Sequence, residues 1–300
     1  MKVSVVISAY NEEAKIEDCI LSVKRIANEI IVVNNSSKDK TEEIARKHGA
    51  KVYLRENNPM LNINKNFGFS KATSDWILNL DADERGTEEL VEEILALKEV
   101  EDVDGYLIPR QNIIFGKWIR NSIWWPDYQL RLFRSKKGRF EEKHVHEYLK
   151  VEGNIDKLSH PIKHLNYETI SQYLYKLEHI YTESEVHAIL ESGKTLQWHD
   201  ALRMPVHDFL KTYFMQKGYR DGLHGLVLSL LQAFYMEIVF AKVWEKQGFS
   251  EKNIELTDVS KEMKKLGSET KYWMISASIE EKKSAPSKLV LKLLRKTIRL

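Results

Sequence analysis

Short apolar runs rich in β-branched residues alternate with helical-period segments over the first hundred positions. Val3 to Ser8 is almost wholly apolar, the pattern of a strand buried on both faces. A polar loop, Ala9 to Glu13, follows, and then Ile16, Ile20, Leu21, Val23 and Ile26 recur at helical spacing. Glu29 to Val33 predicts a second strand that runs into Asn34 to Asp39. Thr41 to His48 predicts a helix stopped by Gly49. Lys51 to Leu54, Asn62 to Ala72, Trp76 to Leu80 and Glu88 to Lys98 continue as strand, helix, strand and helix, with Arg85-Gly86-Thr87 as a break. This alternation predicts a doubly wound, mostly parallel sheet flanked by helices. Loops at the carboxyl ends of such strands gather on one edge, so Tyr10 to Glu12, Asn34 to Asp39 and Asp81 to Glu84 are expected side by side.

The pattern loosens beyond residue 100. Gly105 to Arg110 and Ile162 to Leu165 read as strands, and Tyr128 to Arg134 alternates at period two. Lys143 to Leu149 reads as extended, ahead of a polar hairpin near Gly153. From Thr169 helical spacing takes over: Ile170 to Ser192, Asp208 to Lys217 and Leu223 to Lys246 predict helices, while Asn253 to Glu280 is polar with no clear packing face. Residues 1–168 are therefore expected to form an α/β domain and residues 169–300 a helical extension. The most apolar stretch, Gly222 to Val243, carries His224, Gln232, Glu237 and Lys242, so no membrane-spanning helix is expected. Lys282 to Leu300 holds seven basic residues and no acid. On a helical wheel Lys288, Lys292, Arg295, Lys296 and Arg299 share one narrow face, and Leu289, Val290, Leu293, Leu294, Ile298 and Leu300 cover the other. Two readings fit: a helix lying on an anionic membrane surface, or one docked on its own domain.

Composition narrows the class only modestly. Seven Trp and thirteen Tyr can fill a core, and a net charge of +2 is too near zero to indicate a nucleic-acid partner. A single cysteine, Cys19, excludes an internal disulfide and suits a reducing cytosol. Met1-Lys2 runs straight into the first strand without a long apolar stretch, so no secretory signal is expected. The expected location is cytoplasmic, peripheral on the inner face of the membrane if the basic tail binds lipid.

The chemistry concentrates at Asp81-Ala82-Asp83. Two carboxylates at the lip of a buried strand offer hard oxygen ligands to a divalent cation that can bridge phosphates. A solvated loop would carry the same residues. The dinucleotide fingerprint G-x-G-x-x-G does not follow the first strand, and no Walker A sequence occurs.

Taken together, Val3 to Glu13 (V-S-V-V-I-S-A-Y-N-E-E), Val32 to Thr41 (V-V-N-N-S-S-K-D-K-T), Asn64 to Gly68 (N-K-N-F-G) and Trp76 to Glu84 resemble four ordered motifs of the family 2 glycosyltransferases, which have the GT-A fold. Phe115-Gly116-Lys117, Trp124 to Phe133, His144 to Glu147 and Gly218 to Gly222 resemble a bacterial subgroup that adds sugars to the lipopolysaccharide core. The resemblance implies a nucleotide-sugar donor, a saccharide or lipid-linked acceptor, and Mg²⁺ or Mn²⁺ as cofactor. It places Ala9, Tyr10, Glu12, Asn34 and Asp39 at the nucleoside, Lys65 at the diphosphate, Asp81 at the ribose or a metal-bound water, and Asp83 on the metal. His146 reads as a further metal ligand or diphosphate contact, or as ordinary polar packing. The family often has Asp where this chain has Asn34, whose amide oxygen can accept a hydrogen bond from uracil but carries no charge. UDP remains the first choice of nucleotide. Ser8 stands where Pro is common, an expected backbone adjustment only.

Inverting members need a base to take the acceptor proton. Asp127 is the first candidate and Glu147 the second; in a strict strand His146 and Glu147 would point to opposite faces. His144 and His146 lack the H-E-x-x-H or cysteine partners of a zinc site. Trp118, Trp124 and Trp125 suit a sugar platform or a core. Arg131 and Arg134 suit an anionic acceptor or an ordinary strand face. Competing readings are a nucleotidyltransferase of similar fold and a non-catalytic membrane-surface scaffold.

Overall fold

The computed structural model describes residues 1–58, 60–97, 102–142, 147–282 and 284–298. The extended reading of Lys143 to Val145 and the ligand assignment of His146 lie outside them. Two compact units result: Met1–Trp118 with Trp125–Asn166, and Ile119–Trp124 with Tyr167–Leu300.

The first unit begins with the predicted alternation: β1 (Val3–Ala9), α1 (Ile16–Val23), β2 (Glu29–Asn34), α2 (Thr41–Lys47), β3 (Lys51–Leu54), α3 (Leu61–Ser70) and β4 (Trp76–Asp81). The sequence break at Arg85 to Thr87 is instead a short strand, β5 (Glu84–Gly86), before α4 (Glu88–Ala96). Thr87 caps α4, its hydroxyl accepting from the Leu90 amide. Then come β6 (Gly105–Ile114), β7 (Lys117–Trp118), β8 (Asp127–Arg134), β9 (Gly138–Arg139), β10 (Lys150–Val151), β11 (Ile155–Lys157) and β12 (Ile162–Tyr167). The sheet order is β3-β2-β1-β4-β8-β6-β12-β5. Its first four strands are parallel, and β8 and β6 join antiparallel.

Both faces of the parallel half are covered, which is why its strands read as unbroken apolar runs. Val3, Val5 and Ile7 pack with Ile16, Cys19 and Ile20 of α1 and Leu90, Val91 and Ile94 of α4. Val6, Ile31 and Ile77 pack on the opposite side with Phe69 of α3 and Phe133 of β8. The register pairs Ala9 with Asn34 and Ser8 with Asp81, so the ends of β1, β2 and β4 lie level. The loops after them share one edge, as the pattern predicts.

The second unit is helical: α5 (Ile170–Lys176), a π-helical turn, α6 (Glu183–Glu191), α7 (Asp200–Phe209), a second π-helical turn, α8 (Leu223–Lys246), α9 (Leu256–Glu281) and α10 (Ala285–Lys296). The helix expected from Asp208 starts eight residues earlier, since Pro205 inside α7 hides it from a pattern reading. Polar α9 buries Leu266 and pairs with neighbouring basic residues: Arg203 donates two hydrogen bonds to Glu262, and Arg220 pairs with Glu281. Asp221 accepts from the Arg120 amide and from Asn121, which ties Ile119–Trp124 into this unit. Against the expectation from its four polar residues, α8 is long and apolar enough to cross a membrane, and 22% of its most apolar window is buried.

Candidate active site

Asp81 ends β4 on the α3 side of the sheet. Its Oδ1 lies 2.6 Å from Lys65 Nζ of α3, and its Oδ2 accepts from Arg131 Nη2 of β8 at 2.9 Å. The same Arg131 nitrogen donates to Glu84 Oε1 at 2.6 Å, and Glu84 is fully buried. Burial acts to raise the Asp81 pKa, but Lys65 and Arg131 outweigh it and hold the carboxyl far below its usual range. Asp81 is thus an anchored anion already neutralised by two cations.

Arg131 shares the face of Phe133, two residues on, and so points to the α3 side of the sheet. Along β6, Tyr106 and Leu107 are consecutive, yet their partners on β8 are Leu132 and Leu130, which leaves Arg131 as the unpaired residue of a β-bulge. Past the bulge Leu130 packs on that same side, against the cluster that holds Phe133. Neither expectation for Arg131, acceptor contact or strand decoration, describes a side chain only 6% exposed. Arg134 likewise turns inward, donating to the Val103 carbonyl and lying over the Trp76 ring.

Asp83 faces a residue that the motif reading missed. His164 of β12 places Nε2 3.6 Å from Asp83 Oδ2, while its Nδ1 bonds Asn112 Oδ1 at 2.7 Å. The signal was present only as an alternation in Ile162-Lys163-His164-Leu165, with nothing to tie it to position 83. At 3.6 Å the contact is too long for a hydrogen bond. A carboxylate oxygen and an imidazole nitrogen converging in this way form a donor pair that Mg²⁺ or, better, Mn²⁺ accepts. The pair therefore fits a divalent cation, which Asp83 and His164 would hold; Asp81 is held by Lys65 and Arg131.

The β1 and β2 loops are knitted together by side chains. Asp39 Oδ1 accepts from Thr41 N and Oγ1, and its Oδ2 accepts from Glu13 N. These hydrogen bonds outweigh burial and lower the Asp39 pKa. The Glu12 amide donates to Thr41 Oγ1, and the Lys38 amide to Asn11 Oδ1. Ala9 is buried and Tyr10 exposed, so the ring of Tyr10 is available at the mouth. Asn34 is only 1% exposed; its Oδ1 accepts from Ser37 N and its Nδ2 donates to Glu42. The amide oxygen has a second lone pair beyond the Ser37 contact, so these bonds leave Asn34 able to accept from a base. Ser8 does more than adjust the backbone, since its hydroxyl accepts from Asn35, which in turn accepts from Asn64.

The two base candidates differ. Asp127 Oδ2 receives Arg110 Nη2 at 2.5 Å, Arg110 Nε at 2.8 Å and Asn112 Nδ2 at 3.2 Å, and Oδ1 receives Gln129 Nε2 at 2.8 Å. Burial raises its pKa, but Arg110 and these hydrogen bonds prevail and lower it. Glu147 is partly exposed and accepts from the Glu142 amide; Glu142 bonds Asn66, the neighbour of Lys65 on α3. Trp118 and Trp125 form an edge-to-face pair.

Residues 4–150 match the Glycosyl transferase family 2 profile. An uncharacterized glycosyltransferase of Rickettsia typhi is 30% identical over 258 residues, which span 81% of this chain and 87% of the relative. The chain belongs to glycosyl transferase family 2. The lipopolysaccharide core biosynthesis glycosyltransferase LpsC of Rhizobium meliloti is 28% identical over 82% of this chain and 93% of its own. Among solved structures, S. aureus TarS in complex with UDP aligns over 81% of this transferase and 92% of that chain, with a TM-score of 0.43 and 15% identity. Glucosyl-3-phosphoglycerate synthase of Mycobacterium tuberculosis with Mn²⁺ and UDP-glucose aligns over 37% of this transferase and 43% of that chain, with a TM-score of 0.32 and 27% identity. The mixed sheet of the first unit, helices on both faces, is the GT-A core that the motifs led one to expect.

Proposed function

We propose that this transferase moves a hexose-type sugar, with inversion, from a nucleotide diphosphate donor to a saccharide acceptor of lipopolysaccharide core or another lipid-linked glycan. The observation that carries the reading is the strand-end cluster in which Asp81 is fixed between Lys65 and Arg131 while Asp83 and His164 converge. Likeness to LpsC supports the acceptor class. UDP is the first choice of nucleotide, and residues 1–168 act as the transferase domain with 169–300 as its extension.

In this reading Ala9, Tyr10, Glu12, Asn34 and Asp39 hold the nucleoside. Lys65 stands beside the diphosphate as a donor, with Asp81 fixing it and Arg131. Asp83 and His164 would hold Mg²⁺ or Mn²⁺, which when bound neutralises charge on the departing diphosphate. The acceptor hydroxyl oxygen bonds to the anomeric carbon as the carbon–oxygen bond to the diphosphate breaks, and an enzyme carboxylate takes the hydroxyl proton. Glu147 is assigned that role. Asp127 is the weaker candidate, because a carboxylate held by Arg110 and two amides has its proton affinity lowered. The basic segment 282–300 attaches the enzyme to the inner face of an anionic membrane.

Transfer and hydrolysis assays with UDP-, GDP- and dTDP-sugars in the presence of Mn²⁺ test the proposal. Turnover of one donor class is expected. Absence of binding by every nucleotide sugar would overturn the catalytic reading.

A further inference from the structure

We infer that Asn112 is a positioning residue that fixes the ring tautomer of His164, using Asp127 as its reference. The inference rests on the reading of Asp83 and His164 as the cation site, and deepens it. It follows from the inventory of donors and acceptors. An ionised carboxylate only accepts, so the Asn112 atom 3.2 Å from Asp127 Oδ2 is the amide nitrogen. The amide oxygen then faces His164 Nδ1 at 2.7 Å, and Asn166 Nδ2 approaches the same oxygen at 3.5 Å. An amide oxygen cannot donate, so the ring hydrogen sits on Nδ1. In the neutral imidazole this leaves the Nε2 lone pair pointing at Asp83 Oδ2, 3.6 Å away.

Each link resists reversal. Turning the Asn112 amide over would press its oxygen against the Asp127 carboxylate and leave His164 Nδ1 facing a donor. Asp127 is itself pinned by Arg110 and Gln129, and Asn112 is fully buried. Arg110 and Asn112 lie two residues apart on β6, so both side chains rise from one face toward Asp127, which pairs with Arg110 across the strands. With the proton on Nδ1, the Nε2 lone pair and the Asp83 oxygen present a pair of donors complementary to a cation. The relay gives Asp127 a use for its charge that requires no proton transfer. It also explains why the carboxylate is so heavily clamped: a mobile Asp127 would leave the amide free to turn.

The test reads the tautomer directly. In metal-free protein, long-range ¹H–¹⁵N correlation spectra at about pH 8, assigned by loss of signal in His164→Gln, are expected to show Nδ1 protonated and Nε2 bare. In Asn112→Leu the proton should move to Nε2, and Mn²⁺ affinity measured by electron paramagnetic resonance should fall roughly 10- to 100-fold. Asn112→Asp combined with Asp127→Asn keeps an acceptor for His164 and an amide donor opposite it, and should retain the Nδ1 tautomer, which separates the relay from a packing role and serves if the leucine variant does not fold. Nε2 protonated in the wild type, or unchanged Mn²⁺ affinity in a folded Asn112→Leu, would overturn the inference. Wild-type protein that shows the expected tautomer but binds no Mn²⁺ would overturn the cation reading and leave the relay standing.

Discussion

Arg131 shows most clearly what single side chains do here. Its guanidinium serves Asp81, at the site, and Glu84, beneath it, from a position where its side chain is 7% exposed and that of Glu84 is 0%. Arg131→Met would strand a buried carboxylate, a change that costs about 3 kcal/mol or more. The expected result is a lower urea midpoint with an unchanged slope, and an unshifted midpoint would show that Arg110, 3.8 Å from Glu84, suffices alone. The base assignment is also decided by residues. Glu147→Gln is expected to abolish transfer while leaving nucleotide-sugar and Mn²⁺ affinity unchanged. Asp127→Asn is expected to weaken Mn²⁺ binding instead, because it removes the reference for Asn112. If Asp127→Asn alone loses transfer with Mn²⁺ affinity intact, the two roles are reversed.

At the level of elements, the parallel half of the sheet is stitched by Glu29 at the start of β2. It accepts from Ser4 of β1, from the backbone and hydroxyl of Thr73 ahead of β4, and from Lys51 of β3. Burial acts to raise its pKa; the hydrogen bonds from Lys51, Ser4 and Thr73 outweigh it and bring the value down to about 2. The folded value lies below the unfolded one, about 4.3. The stabilisation is therefore complete above the unfolded pKa and is lost as pH falls toward 2. The stability advantage of wild type over Glu29→Gln should shrink between about pH 5 and pH 2 in denaturant titrations; a constant difference would reject the assignment. Such strands were legible because burial on both faces writes itself as continuous Val and Ile. Helix α3 was legible as a motif, and its physical content is now plain: Asn64 bonds Asn35, Lys65 meets Asp81, and a Cβ on Gly68 would stand 2.6 Å from Val6 Cγ1. The antiparallel half was less legible. β5 is three residues long, and the bulge at Arg131 reverses the inward side of a strand that otherwise alternates, which no period-two reading detects. His164 stands 81 positions from its partner Asp83, a pairing that only the closing of β12 against β5 creates.

For the whole molecule, the proposed lipid-linked acceptor raises the question of how an enzyme with a net charge of +2 would reach a membrane. Charge overall is too small to steer it, so attraction has to be local. In the proposed reading helix α10 would supply that locality. Arg295 turns toward α9, donating to Ser276 and lying over the Tyr272 ring, and so belongs to the docked side of the helix. Leu289, Val290, Leu293 and Leu294 are each 49–60% exposed, and Lys292 and Lys296 flank them. Arg295 thus docks on α9, while the exposed apolar residues are the feature that the proposed membrane-surface reading requires. A helix whose only task was to cover its own unit would turn those leucines inward. On an anionic bilayer the leucines enter the acyl boundary while the lysines reach the headgroups. The two contributions are separable. Lys292→Ser with Lys296→Ser should weaken binding to phosphatidylserine vesicles by about 1 kcal/mol per lysine, roughly thirtyfold together, and reduce its salt dependence. Leu289→Ser with Leu293→Ser should weaken binding to anionic vesicles at high salt as well, where screening has already removed the charge contribution. Cosedimentation of the full chain with vesicles of either composition reads both, and equal binding of all variants would assign membrane attachment, if any, to another element such as α8.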